Sequence, residues 1–163
     1  MKVFISTALF VGLLSACTIK QDVNPVEMNN TAEVCIVENR SVREGFLAEM
    51  EKVFTDKQIN YRVVDSLTIA NGCDYAATYT ANWRWDLALY MVYAEIKVYQ
   101  QGSLDGEAIY DARSGGGNMN KFIDAEPKIR ELIEQLIQQK QNAGVWKSLK
   151  LDHVSPSRQL TAI

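Results

Sequence analysis

The sequence predicts an α/β protein: a two-layer βαβββα sandwich, with a mixed sheet of about five strands and two helices on one face. Three observations predict it. Residues 75–113 alternate apolar and polar side chains through three successive runs, a strand–helix–strand unit precedes them, and an amphipathic helix follows.

In the first run Tyr75, Ala77, Tyr79, Ala81 and Trp83 alternate with Thr78, Thr80, Asn82 and Arg84, so one face is buried. From Ala88 to Val98 the apolar phase moves to Ala88, Tyr90, Val92, Ala94, Ile96 and Val98. Residues opposite each other in an antiparallel pair share a face, so odd must pair with even across a loop of even length. The expected inward pairs are Trp83–Tyr90, Ala81–Val92, Tyr79–Ala94, Ala77–Ile96 and Tyr75–Val98. The last strand, Leu104 to Ala112, keeps even positions inward. Its expected three-residue turn, Gln100-Gln101-Gly102, sets Lys97 opposite Asp105.

Before this hairpin, Val34 to Val37 reads as a strand, Asn39 to Lys57 as a helix and Tyr61 to Val64 as a second, parallel strand. Ser41 and Glu44 have capping-box spacing, and Val42, Phe46, Met50, Val53 and Phe54 recur at helical spacing. The second helix is expected over Asp124 to Lys140, with Pro127 near its start and Ile129, Leu132, Ile133, Leu136 and Ile137 on its core face. Between them, Gly115-Gly116-Gly117 lacks the spacing of a phosphate-binding fingerprint and reads as a flexible loop.

Residues 1–16 stand outside the fold. Lys2 supplies a positive start and Val3 to Leu14 an apolar stretch too short to span a bilayer. The following Leu14-Ser15-Ala16-Cys17 resembles the lipobox of bacterial lipoproteins. That resemblance implies cleavage before Cys17 and acylation of its sulfur and amino group, which anchors the chain to a membrane. Thr18 stands where inner-membrane retention usually shows Asp, so the expected location is the periplasmic face of the outer membrane. Residues 17–32 are polar and read as a flexible tether, 33–140 as a single domain, and 141–163 as a poorly ordered tail.

This location bears on the cysteines. Of three, Cys17 is the one the lipobox resemblance implies to be lipidated, leaving Cys35 and Cys73 for an expected oxidising compartment. Should their strands be neighbours, a disulfide closes a loop of about 38 residues; otherwise they are two separate buried thiols. Two lone cysteines without a nearby histidine make a poor zinc site.

The chain carries 17 basic and 20 acidic residues, and losing Lys2 with the leader leaves 16 basic. This acidic balance, without a basic stripe, argues against nucleic acid. A single histidine, His153, removes His-based acid–base and nucleophilic chemistry, so neither an enzyme nor a cofactor is expected. Two functional readings remain. The first is a protein-interaction module that docks an envelope partner, or a second copy of itself, through Trp83, Arg84, Trp85, Asp86, Leu89, Met91 and Tyr93. On the expected register Leu89, Met91 and Tyr93 point away from the helices as an apolar patch. Cover from helix or tail residues such as Trp146, or a slip of strand phase at the turn, would remove that patch. The alternative is a small-ligand or enzymatic site on the open sheet face, built on Glu95, Glu107, Asp111 and Arg113.

The lipobox, the Cys35 and Cys73 pair, the run Tyr79 to Asp86, the run Gly106 to Ala112 and Lys128-Ile129 together resemble an uncharacterised family of small Gram-negative envelope lipoproteins. That resemblance spans roughly residues 1 to 140 and implies an outer-membrane lipoprotein without implying an activity. The βαβββα order is also similar to periplasmic domains of the curli secretion lipoprotein and of the amino-terminal part of TolB, a fold analogy that points toward protein–protein contact.

Overall fold

A six-stranded mixed sheet organises residues 18–29, 31–70 and 72–139, the residues described in this computed structural model. In chain order the elements are β1 (Lys20–Asn24), β2 (Val26–Met28), β3 (Glu33–Val37), α1 (Glu44–Asp56), β4 (Asn60–Val64) and the one-turn α2 (Leu67–Ala70). There follow β5 (Tyr75–Asp86), β6 (Ala88–Gln100), β7 (Ser103–Asp111), a 3₁₀ turn (Met119–Lys121), α3 (Ala125–Leu136) and β8 (Ile137–Gln139). The sheet order is β1-β7-β6-β5-β3-β4, and β2 and β8 form a separate parallel pair. The leader, Cys17 and the tail 141–163 with Trp146 and His153 lie outside the described residues.

The strand β3 has parallel neighbours on both sides, β4 and β5. Val34, Cys35 and Ile36 are accordingly fully buried, which is why this stretch is continuously apolar rather than alternating. On one face of the sheet α1 contributes Phe46, Met50, Val53 and Phe54, and α3 contributes Ile129, Leu132, Ile133 and Leu136, all within one core. Each such side chain contributes about 1.5–3 kcal/mol on burial, so α3 is held by its apolar stripe more than by helix propensity. The two helices are also bridged by Arg130, which reaches Glu49 and Asp56 at 2.9 Å each. On the opposite face, Cys35, Val64, Ala70 and Ala76 form a small satellite core under α2.

Several expectations need correction. The capping box does not form: α1 starts at Glu44 without a side-chain cap. The Asn39 carboxamide oxygen instead accepts from the Ser41 amide at 3.1 Å and from the Ser41 hydroxyl at 2.6 Å. This local turn competes with the helix for the same groups. The Asn39 side chain also donates to the Tyr79 carbonyl at 3.0 Å, tying the turn to β5.

The β5–β6 register differs from that expected. Tyr79 pairs with Ile96 and Ala81 with Ala94, two residues along, so the odd–even parity holds. The register then shifts between Asn82 and Trp83, leaving Val92 as an extra residue, and Trp83 pairs with Met91. A bulge of this kind reverses the inward phase beyond it. Met91 therefore joins the helix-side core with no exposed surface, and the expected outward patch of Leu89, Met91 and Tyr93 does not exist. The chain reverses at Leu87, whose φ is 62°, between the paired residues Asp86 and Ala88.

The β6–β7 turn is Gln101-Gly102, both at positive φ, with Gln100 opposite Ser103. A second shift, beside Val98, leaves Asp105 unpaired and restores the even-with-even parity. Lys97 thus faces Glu107 rather than Asp105, and Leu104 is exposed rather than inward. Gly106 is needed where it stands, because a Cβ there would lie about 3.0 Å from Asn24 O and from Val26 Cβ.

The segment expected as a tether is structured over part of its length. Lys20–Asn24 pairs antiparallel with the outer edge of β7, and Val26 and Met28 are buried. Its polar side chains, four of the five exposed, hid the strand from a hydrophobic pattern. At the other end α3 stops at Leu136, and Ile137–Gln139 turns into β8 beside β2 rather than continuing the helix.

Candidate interaction surface

Beyond Asn82 and Val92 the β5–β6 hairpin outruns its neighbours. On one side β3 pairs only with Tyr75, Ala76 and Ala77, and on the other β7 pairs no farther than Tyr93. What remains is a two-stranded arm, Trp83–Asp86 against Ala88–Met91. An isolated hairpin is marginal in water, so this arm needs bracing. The brace is the segment between β7 and α3. Lys121 Nζ lies 2.7 Å from the Asp86 carboxylate and 2.8 Å from the Gly116 carbonyl, and Phe122 packs edge-on to Tyr90 at 4.8 Å. The Asp86 hydrogen bond holds the Lys121 ammonium pKa above its ordinary value.

The seven contact residues expected from the sequence separate into groups. Trp83 is half-buried against the core with the Arg43 guanidinium 5.8 Å above its ring, and Met91 is wholly buried. Asp86 is engaged by Lys121, and Tyr93 lies under the Arg113 guanidinium at 4.3 Å. Arg84, Trp85 and Leu89 are exposed. Leu87 joins them, so the apolar surface of the arm is its tip: Trp85 is 75% exposed, Leu87 85% and Leu89 49%. Lys121 and Phe122 were missed from the sequence because the loop that carries them has no periodicity. The bulge itself shows in the structure as Tyr90-Met91-Val92, buried on three successive residues.

The open-face carboxylates are closed onto basic partners. Lys97 Nζ reaches Glu95 at 2.7 Å and Glu107 at 3.2 Å, and hydrogen bonding to Glu95 raises the Lys97 pKa. Arg113 grips Asp111 at 2.6 Å, and that bond lowers the Asp111 pKa. Two concavities of the described surface lie elsewhere. One of about 320 Å³ is lined by Ala70, Cys73, Ala76, Tyr99, Gln101 and Gly102, on the disulfide side. Another, of about 470 Å³, lies between Thr18, Ile19, Asn118, Asn120 and Lys128. Neither is lined by Glu95, Glu107, Asp111 or Arg113.

Cys35 and Cys73 form a disulfide, their Cα atoms 5.9 Å apart. The parallel pairing of β3 with β5 brings them together, since Cys35 lies opposite Ala76. Glu33 stands close to both sulfurs, but oxidised sulfurs are not thiolate ligands, so this trio is no metal site. No helix of the described residues is long and apolar enough to cross a membrane.

With this geometry in hand, comparison with known proteins is informative at the level of fold. No protein-family model matches the sequence, and no curated protein matches it. Solved structures do match. The chain is similar to the PelC dodecamer from Paraburkholderia phytofirmans, with a TM-score of 0.52 and 11% identity over 73% of this chain and 98% of that one. A single-substitution variant of the same dodecamer gives 0.51 and 10%, over 73% and 96%. The likeness is one of fold. At this identity no residue role passes from those proteins to this one.

Proposed function

We propose that this protein is an outer-membrane lipoprotein, anchored through acyl chains on Cys17 and exposed to the periplasm, that serves as a non-enzymatic protein-interaction module of the cell envelope. The contact we assign to it is with a second copy of the chain, along the flank of the β5–β6 arm. One observation carries this reading: from Thr80 to Asp86, β5 has no strand beside it on its outer side among the described residues. An unpaired edge of this length is a template for another strand. The Tyr79 carbonyl, bound by Asn39, faces that outer side, so the alternate residues Ala81, Trp83 and Trp85 turn their backbone groups the same way. Asn82 and Arg84 are exposed beside them. A fold similar to a protein known as a dodecamer fits self-association, although no interface is carried over.

The lipobox and the run from Tyr79 to Asp86 support the envelope location by their resemblance to small Gram-negative lipoproteins. Closed ion pairs at Glu95, Glu107 and Asp111 lend the open-face ligand or enzymatic reading no support.

The test is the oligomeric state of the mature, detergent-extracted protein by native mass spectrometry, together with a photo-crosslinking residue at position 82. Multimers and a crosslink from position 82 into a second copy are expected. A monomer without self-crosslinks would sink the proposal.

A further inference from the structure

The strand register places the start of the described chain at the arm's end of the sheet. Lys20 pairs with Asp111, and Asp111 with Tyr93, so the first residue of β1 is level with the base of the arm. Because β1 is antiparallel to β7, stepping back from Lys20 through Ile19 to Thr18 moves toward the arm tip. Side-chain proximity agrees. Ile19 lies 3.7 Å from where a Cβ on Gly115 would be, and Thr18 and Ile19 share a concavity with Asn118 and Asn120. The next residue, Lys121, holds Asp86 on the arm.

Cys17 is one peptide bond before Thr18, so its Cα is about 3.8 Å from that of Thr18. Measured from Lys20, Thr18 stands at most about 7 Å toward the tip at 3.3 Å per residue. Leu87 stands about 17 Å beyond Tyr93 on the same measure, once the bulged Val92 is discounted. The tip therefore reaches at least about 10 Å past Thr18, the residue to which the anchoring cysteine is bonded, enough for the ~5–10 Å depth of an interfacial membrane contact. The side chains at this height suit that layer. Trp85, Leu87 and Leu89 are exposed, as is Met119 on the neighbouring 3₁₀ turn. Tryptophan favours the headgroup level. Arg84 is exposed and has no ion-pair partner among the described residues, which leaves its guanidinium for lipid phosphate.

We infer that the arm tip, formed by Trp85, Leu87 and Leu89, enters the same membrane leaflet that holds the acyl chains of Cys17. The protein then touches the membrane at two points, which fixes its orientation and presents the flank of the arm sideways to the next copy. This inference rests on the lipidation of Cys17 and adds a site that the anchor does not require.

The experiment uses the lipidated chain with Trp85 as its sole tryptophan, after Trp83→Phe and Trp146→Phe. It is reconstituted into phosphatidylethanolamine–phosphatidylglycerol vesicles whose acyl chains carry bromine, and the mass of the Cys17 peptide is read from the same sample. An acylated Cys17 with blue-shifted, bromine-quenched Trp85 emission is expected. Leu87→Glu should abolish the quenching with acylation intact. Acylated protein without quenching overturns the inference and spares the anchor. Blue-shifted emission without quenching assigns the tip to a protein contact and also overturns it. An unacylated Cys17 removes the anchor, and the inference with it. Should Trp83→Phe prevent folding, the quenching difference between the wild type and Trp85→Phe decides the same question.

Discussion

Lys121 closes on Asp86 at 2.7 Å, joining the 3₁₀ turn after β7 to the outermost turn of the β5–β6 arm. The two residues are 35 apart in sequence, and the Lys121 side chain is 11% exposed against 50% for Asp86. A buried ammonium needs its hydrogen bonds, and here it has two, with the rings of Tyr90 and Phe122 beside it. This contact keeps the arm from behaving as an isolated hairpin.

Replacing Lys121 by Ala should loosen the arm locally. The hydrogen bond is charge-assisted but half-exposed on the Asp86 side, so its loss should be felt in the arm rather than across the whole fold. The expected result is faster amide hydrogen exchange over residues 84–91 with little change across β3. Unchanged exchange in the arm would show that Phe122 on Tyr90 is a sufficient brace.

The bulge at Val92 makes a second, sharper prediction. Met91 is fully buried on the core side, while Leu89, two residues away, is 49% exposed. Met91→Ala should therefore cost about 2–5 kcal/mol in urea unfolding. Leu89→Ala should stay within about 0.5 kcal/mol. Equal effects at the two positions would contradict the bulged register.

Much of the architecture was legible because its signals are side-chain signals. The alternation through Tyr79, Ala81, Ala94 and Ile96 identified the strands and their parity, and the stripe of Ile129, Leu132, Ile133 and Leu136 identified α3. The positions that misled are those where one residue is inserted without changing the local chemistry. Val92 is as apolar as its neighbours, so nothing in its identity marks it as extra. Asp105 compensates for a shortened turn, so the parity of Gly106, Ala108 and Tyr110 survived although the pairing moved. The edge strand at Lys20 was hidden because its value to the fold lies in backbone pairing with β7, and only Val23 among its side chains packs on the core. For the contact surface, Trp85 and Leu89 were legible as contact candidates and both are exposed, whereas Met91 was lost to the phase change at the bulge.

Cys35 and Cys73 carry the last prediction. Cys35 is fully buried in β3, Cys73 stands just before β5, and the two strands pair over only Val34–Tyr75, Cys35–Ala76 and Ile36–Ala77. Parallel pairing this short brings distant segments together for few ladder bonds, so the covalent link should matter to β3 and β4 more than to the long hairpin. The separation of 38 residues corresponds to about 4 kcal/mol on the chain-entropy account. Reduction also exposes the satellite core to two separate thiols, while Arg62, 3.0 Å from the Cys73 sulfur, keeps its ion pair with Glu33. The double variant Cys35→Ala, Cys73→Ala should retain its mixed α/β circular dichroism and melt about 10–20 °C lower. Native alkylation of the parent protein should find neither Cys35 nor Cys73 reactive. An unchanged melting temperature after reduction would mean that the buried contacts of Val34 and Ile36 hold β3 in place without the bond.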